Sequence, residues 1–210
     1  MRAAHSTRIV DEGEGVRRLA LRGDWGLTVN AWLIRGTDSV ALVDSGYQHT
    51  AGQLVDALAE CGLAPRDVDA ILYTHTHEDH VGGGLALEWS ATHVYAEQAS
   101  PAFEDYAAVY GARTPWDVWL DEVLGEGAEA DAVRETRGPF ASEPLTPRRF
   151  EGDHLAVAEG TSVELGGRTL SCVAAPGHDP WHVVWVGEGA VYSGDVLLRI
   201  PTPILCGIGT

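Results

Sequence analysis

Short runs of apolar and β-branched residues alternate with turn-forming segments along much of the chain. Residues 29–34 and 39–43 are two such runs, and the turn-like tetrad between them predicts a β-hairpin. Further strands are expected at residues 69–73 and around residues 92–95. The second half repeats the pattern between Gly-containing turns, which predicts strands at residues 155–158, 161–165, 168–174, 182–186 and 190–193.

A helical pattern interrupts the strands at residues 50–61. Leu54, Val55 and Leu58 form its apolar face, a Thr-x-x-Gln capping box begins it, and Gly62 follows it. The segment therefore predicts a helix that packs on a sheet. A strand, a helix and a strand in this order favour a right-handed crossover, with functional groups at the carboxyl ends of the strands.

The character of the chain changes at residues 97–150, where acidic side chains outnumber basic ones and aromatic residues follow helical spacing. Ser100 and Pro101 are typical of a helix start. We expect two helices that pack on the scaffold, or alternatively a helical lid whose aromatic residues line an apolar substrate pocket. The apolar faces comprise Phe103, Tyr106, Ala107 and Tyr110 in the first helix and Trp116, Trp119, Leu120 and Val123 in the second. The composition of residues 125–147 predicts a mobile connector.

The largest cluster of potential metal-binding side chains directly follows a predicted strand. His75, His77 and His80 place three of the nine histidines within six positions, and Asp79 lies among them. Imidazole and carboxylate groups at this density indicate metal ligands, against the alternative of a polar loop that is merely rich in histidine. In an extended segment His75 and His77 point the same way, so one metal could bind this pair and a second could bind Asp79 and His80. Residues 82–84, all glycine, are expected to let the backbone turn sharply beside the ions.

The stretch from Thr74 to Gly83 resembles the His-x-His-x-Asp-His signature of the metallo-β-lactamase-fold hydrolase superfamily. Residues 30–46 are similar to the opening strands of that family and to the Asp-Ser/Thr-Gly turn that follows them. Residues 175–178 resemble its third-ligand loop, and residues 193–195 resemble the turn of its bridging aspartate. The resemblance covers about residues 25–198. It implies the α/β fold of the family, a four-layer α/β/β/α sandwich.

Two more candidate ligands come from the second half of the chain. His178 follows a predicted strand and a Pro-Gly turn, so it can complete a three-histidine site with His75 and His77. Asp195 also follows a strand, and its two carboxylate oxygens can bridge two cations. Asp44 either caps a turn or, as the resemblance implies, lies near the metals and orients a ligand by accepting hydrogen bonds.

The other histidines receive structural roles. His182 follows His178 closely, and similar family members often have a histidine there that is not a ligand, so we expect it to be structural. The remaining four are treated as ordinary surface or core residues: His5, His49, His93 and His154.

The chain departs from the family pattern at its end. The family supplies a final histidine to the second metal after the bridging aspartate, whereas no histidine follows Asp195 here. The sequence stops at Thr210, before the last strand and helix that the fold is expected to contain. Truncation is our preferred hypothesis; a naturally short chain, or a ligand from another subunit or from solvent, are the alternatives. The first metal site is therefore expected to be complete, whereas the sequence does not supply the full ligand set of the second.

Length and composition limit the remaining choices. A chain of 210 residues predicts a single domain over residues 1–210, which the resemblance implies is a metallo-hydrolase domain, with a helical insertion or lid at about 97–150. The net charge of -17 and the lack of a basic cluster argue against nucleic acid as a partner. No apolar run is long enough for a membrane span, and residues 1–10 lack the apolar core of a signal peptide, so we expect a cytoplasmic protein without membrane contact. Three cysteines far apart in sequence predict reduced thiols, and an oligomer is possible.

These observations predict a zinc-dependent hydrolase. We expect one or two zinc ions per chain, with iron or manganese possible, on His75, His77, Asp79, His80, His178 and Asp195. A metal-bound hydroxide would attack the carbonyl of a small acyl substrate, and Asp79 would orient it or relay the proton. A thioester, lactone or ester is preferred over a β-lactam, since β-lactamases are usually exported. The alternatives are a mononuclear-iron enzyme of the sulfur dioxygenase type and a catalytically degraded metal-binding scaffold.

Overall fold

Two β-sheets lie face to face in the computed structural model, which describes residues 8–23, 28–110, 149–187 and 189–198. The larger sheet contains, in spatial order, β1 (Arg8–Gly13), β2 (Val16–Arg22), β3 (Thr28–Arg35), β4 (Val40–Val43), β5 (Ala70–Leu72), β6 (Thr92–Ala96) and β7 (Asp153–Val157). The smaller sheet has the order β11-β10-β9-β8, with β8 (Ser162–Glu164), β9 (Thr169–Ala174), β10 (Val183–Gly187) and β11 (Ala190–Tyr192). The helices are α1 (Ala51–Glu60), α2 (Glu78–Ala86), α3 (Ser100–Glu104) and α4 (Tyr106–Tyr110).

The pairing of the strands confirms the predicted pattern. Strands β3 and β4 form the expected antiparallel hairpin, whereas β4, β5, β6 and β7 run parallel to one another. The chain passes from β4 through α1 to β5, as a strand-helix-strand unit. The carboxyl ends of β4 and β5 therefore meet at one edge of the sheet, where the loop after β4 lies beside the histidine-rich loop.

Apolar side chains divide the described residues into layers. Leu54 and Leu58 of α1 pack with Leu33 on one face of the larger sheet. The opposite face, with Leu72, packs against Trp185 of the smaller sheet. These residues form three layers of the predicted four-layer sandwich. On the smaller sheet, the outer face carries exposed Val173 and Val191, and no helix among the described residues covers it. None of the described helices is long and apolar enough to cross a membrane.

Helix α1 begins differently from the prediction. A 3-10 turn at Gln48–Thr50 precedes it, and the Thr50 hydroxyl donates to the carbonyl of Tyr47 (3.0 Å) and makes no cap bond. The predicted capping box is therefore wrong. Gln53 instead pairs through its amide with the backbone N–H (2.8 Å) and carbonyl (3.0 Å) of Arg22, and so fastens the helix to the end of β2.

The first predicted helix of the insertion is broken. Asp105 adopts an extended conformation between α3 and α4, although Phe103 and Tyr106 are both buried, as their apolar spacing predicted. The second predicted helix and the connector lie outside the described residues, and the lid hypothesis stays a prediction.

His93 on β6 lies in the core and has no exposed surface. Its Nε2 is 2.8 Å from the carbonyl oxygen of Glu151, so this nitrogen donates, and its Nδ1 therefore accepts from the hydroxyl of Tyr73 at 2.8 Å. Both bonds suit the neutral ring. Burial is the main reason that the pKa of His93 is lowered from 6.5 to about 4.

This shift predicts an acid-sensitive fold. Because the folded pKa of His93 lies below its unfolded value, the unfolded chain binds more protons between pH 6.5 and about 4. The stabilisation is complete above pH 6.5 and is lost as the pH falls through 4, by up to about 3 kcal/mol. We expect His93→Gln to flatten the dependence of the free energy of unfolding on pH in this window, measured by urea titration of the metal-free chain. The same slope in parent and variant would contradict this assignment.

Candidate metal centre

The histidine-rich segment joins the end of β5 to helix α2. His75 and His77 lie in the connecting loop, and His77 is the last residue before the helix. His80 lies in the first helical turn, so the extended conformation assumed in the prediction ends before it. The ring centroids of His77 and His80 are 4.6 Å and 4.1 Å from that of His75, and all three imidazoles share one site.

The glycines at residues 82–84 have a different role from the predicted one. They lie inside α2 and make no sharp turn. A Cβ atom on Gly82 or Gly83 would collide with the backbone of the loop after β4, and one on Gly84 would collide with the hydroxyl of Tyr73. The glycines therefore let the helix that carries His80 lie directly on its neighbours.

The second half of the chain delivers His178 and Asp195 to the same place. His178 lies in the loop between β9 and β10, and its Nε2 is 2.9 Å from Nδ1 of His77, 101 residues away in sequence. The ligand atoms of His75, His77 and His178 all lie within 4.8 Å of one another. Nitrogen ligands on a tetrahedral zinc ion are separated by about 3.3 Å, so these three have the spacing of one coordination sphere.

A second set combines His75, His80 and Asp195, again within 4.8 Å. Asp195 follows β11, and its Oδ1 is 3.3 Å from Nε2 of His80 while its Oδ2 is 3.5 Å from Nε2 of His178. The carboxylate thus lies between the two sets. Asp79 is at the edge: its Oδ2 is 3.6 Å from Nε2 of His80, its side chain is 25% exposed, and it belongs to neither set. Its roles as a ligand and proton relay stay predictions.

Asp44 at the end of β4 fixes the orientation of two of these histidines. Its Oδ2 accepts from Nδ1 of His80 (2.7 Å) and from the hydroxyl of Thr74 (2.8 Å), and its Oδ1 accepts from the Thr74 backbone N–H (2.9 Å). Because the Thr74 hydroxyl gives its proton to Asp44, it accepts from Nδ1 of His75 at 3.1 Å. The Nε2 atoms of His75 and His80 consequently keep their lone pairs free for a cation.

The electrostatics of the site favour a bound cation. Burial lowers the pKa of His75 well below 6.5 and that of His77 to about 3, so both rings are neutral. Burial also opposes a charge on His80, but the carboxylates of Asp79, Asp195 and Asp44 outweigh it and raise its pKa well above 6.5. The carboxylates thus draw positive charge to this point, either as a proton or as a metal ion.

Two buried nitrogen atoms without hydrogen-bond partners indicate that a metal ion fits the site. In the described part of the chain, Nε2 of His75 and Nε2 of His80 have no hydrogen-bond partner, although both residues are buried. An unpaired buried polar atom is costly, and a coordinated cation would remove this cost. Neutral imidazoles with a few carboxylates are the donors of zinc and iron sites. The residues present therefore fit a metal ion.

Sequence reasoning missed three residues that support the site. His182, expected to be merely structural, stacks on His75 with centroids 4.5 Å apart, and its Nε2 accepts from the backbone N–H of Asp195 at 3.2 Å. Asp179 is buried in the loop that carries His178 and accepts from the hydroxyl of Thr76 in the loop after β5 (3.2 Å). Tyr106 donates from α4 to the carbonyl of Thr76 (2.9 Å). Proximity to His178 was the available signal for His182 and Asp179, and Tyr106 was predicted only as part of an apolar helix face, without a bond to the histidine-rich loop.

Comparisons with known proteins agree on one family. Residues 24–205 match the sequence profile of the Metallo-beta-lactamase superfamily. The chain is 28% identical over 171 residues to a hydroxyacylglutathione hydrolase of Acidiphilium cryptum, covering 81% of this chain and 49% of that protein. It is 40% identical over 175 residues to the probable metallo-hydrolase YybB of Bacillus subtilis, covering 82% and 63%. The chain thus spans about half to two thirds of the length of these relatives.

A solved structure shares the fold. The crystal structure of the metallo-beta-lactamase family protein TTHA1429 from Thermus thermophilus superposes with a TM-score of 0.64 at 28% identity. The alignment covers 91% of this chain and 62% of that one. The described layers are therefore shared with a solved member of the metallo-beta-lactamase family.

The geometry predicts that Asp44 controls metal affinity. In Asp44→Asn an amide would replace a carboxylate that accepts three hydrogen bonds, so the rings of His75 and His80 would lose their fixed orientation. We expect zinc affinity to fall about 10–100-fold, measured by competition with a chromophoric chelator. Asp69→Asn is the matched control, since Asp69 also accepts a backbone hydrogen bond, from Val40, away from the site. Equal affinities of the two variants would contradict the role of Asp44.

Proposed function

The chain belongs to the metallo-beta-lactamase superfamily, and from this premise we propose that it is a zinc-dependent hydrolase of small acyl substrates, with a thioester as the preferred class. The observation that carries the proposal is the convergence of the ligand atoms of His75, His77 and His178 within 4.8 Å of one another, with the Asp195 carboxylate beside them. The relatives named hydroxyacylglutathione hydrolase support a thioester substrate.

The residues divide into two groups of ligands. His75, His77 and His178 would hold the first ion through neutral imidazole nitrogens. His80 and Asp195 would hold a second ion, with Asp79 near enough to join them. A zinc ion on three imidazoles keeps an open position and lowers the pKa of a coordinated water to about 7, which supplies a nucleophile near neutral pH.

The protein itself contributes orientation and proton handling. Asp44 holds His80 directly and His75 through Thr74, so that both rings aim their Nε2 atoms inward. Asp79 is the candidate proton acceptor because its carboxylate is partly exposed and lies beside His80. Asp195, fixed by the backbone bond to His182, keeps its two oxygens toward the two sets of ligands.

The charge of the chain guides the choice of substrates. Acidic residues outnumber basic ones by 31 to 14, which disfavours an anionic substrate at long range. An assay panel should therefore pair an S-acylglutathione with an uncharged thioester of the same acyl group, followed by an aryl ester, a lactone and a β-lactam. Release of the free thiol reports directly on thioester cleavage.

We expect zinc-loaded chain to hydrolyse a thioester of this panel and a chelator to abolish the activity until zinc is restored. His77→Ala removes a ligand, so turnover should fall by more than the roughly 10–100-fold that loss of an outer partner costs. His154→Ala changes an exposed histidine of β7 and should retain the parental rate. Metal analysis accompanies the assay. Bound iron without zinc, or hydrolysis that His77→Ala leaves intact, would overturn the proposal.

A further inference from the structure

Asp179 is a buried carboxylate that the zinc site described above does not use as a ligand. It follows His178 in the loop between β9 and β10, yet only 3% of its surface is exposed. Its Oδ1 accepts from the backbone N–H of Trp181 at 2.6 Å. Its Oδ2 accepts from the hydroxyl of Thr76 at 3.2 Å and lies 3.7 Å from Nε2 of His77. The carboxylate therefore faces the loop that carries His75 and His77.

The ring of His77 explains why a carboxylate is useful at this position. Its Nδ1 faces Nε2 of His178 at 2.9 Å, so Nδ1 is the nitrogen directed at the shared ion. A neutral imidazole that coordinates through Nδ1 carries its proton on Nε2. In His77 this nitrogen lies 3.7 Å from Oδ2 of Asp179, so the carboxylate is the nearby anion that such a proton would face. A carboxylate behind a ligating histidine fixes the tautomer and the ring plane and makes the ring a better ligand.

The same carboxylate connects the two halves of the site. Thr76 and Asp179 are 103 residues apart in sequence, and their side chains bond between the loop after β5 and the loop after β9. On the backbone of Thr76, the carbonyl accepts from the hydroxyl of Tyr106 on α4. The segment between His75 and His77 is thus held by both its side chain and its backbone.

We propose that Asp179 is a positioning residue. It orients His77 for metal binding, and it holds the loop after β5, with His75 and His77, against the loop after β9, with His178. The proposal rests on the proposed function in assuming that the histidines bind a metal ion. It assigns no chemical step to Asp179, which has no contact with a reacting group. Its effect should therefore appear first in metal affinity and coordination geometry.

The decisive variant is Asp179→Asn. Asparagine has nearly the same shape and keeps an oxygen for the Trp181 N–H, but it places an NH2 donor opposite the N–H of His77. We expect zinc affinity to fall about 10–100-fold in a chelator competition, with an altered visible spectrum of the cobalt-substituted chain. The melting temperature of the metal-free chain should stay near the parental value. Asp69→Asn is the matched control.

Thr76→Val separates the two roles of the carboxylate. It removes the hydroxyl bond to Asp179 but leaves Oδ2 facing His77, so zinc affinity should fall less than in Asp179→Asn. A parental affinity in Asp179→Asn would overturn the proposal. An equal loss of zinc affinity in Thr76→Val and Asp179→Asn would also overturn it, because Asp179 would then act through Thr76 alone.

Failure of the proposed role of Asp179 can be distinguished from failure of the proposed hydrolase function. If the parental chain binds zinc but hydrolyses no substrate of the panel, the hydrolase proposal fails, and the affinities of the variants still decide the role of Asp179. If the parental chain binds neither zinc nor cobalt, both proposals are overturned.

Discussion

The buried carboxylate of Asp44 is the interaction on which the site depends. An isolated charge inside a protein costs several kcal/mol, and three donors from Thr74 and His80 compensate for it here. Those donors belong to the histidine-rich loop and to the first turn of α2, so satisfying Asp44 also fixes the candidate metal ligands His75 and His80. Asp44 itself adopts a positive φ of 60°, a conformation that aspartate tolerates better than most residues. The turn after β4 is therefore shaped around this one group.

The two sheets must pack before the site exists. His75, His77 and His80 extend from the larger sheet, whereas His178 and Asp195 extend from the smaller one. Two hydrogen bonds join the sheets beside the ligands: the indole N–H of Trp185 donates to the carbonyl of Tyr73 (3.0 Å), and the N–H of Val183 donates to the carbonyl of Thr74 (2.8 Å). The candidate ligands of the two sheets therefore come together only in the packed sandwich.

The sequence predicted the features that depend on residues close together in the chain. Strand alternation gave the hairpin and the second sheet, apolar spacing gave α1, and histidine spacing with the family resemblance indicated which loops meet. The failures share a cause, since the contacts involved are distant in sequence. Gln53 bonds to Arg22 across 31 positions, and Asp179 bonds to Thr76 across 103. The glycines of α2 are required by close contact with the loop after β4. The lid and the metal-binding roles of the six candidate ligands stay predictions.

The sequence of helix α2 makes its conformation depend on its neighbours. It contains three consecutive glycines in nine residues, and each is about 0.8–1.0 kcal/mol less favourable than alanine in a helix. Alone, this segment would remain a coil, so it becomes helical only when it can settle against residues 45–48. His80 lies on this segment, so the position of one candidate ligand depends on a helix that neighbouring residues stabilise more than its own sequence does.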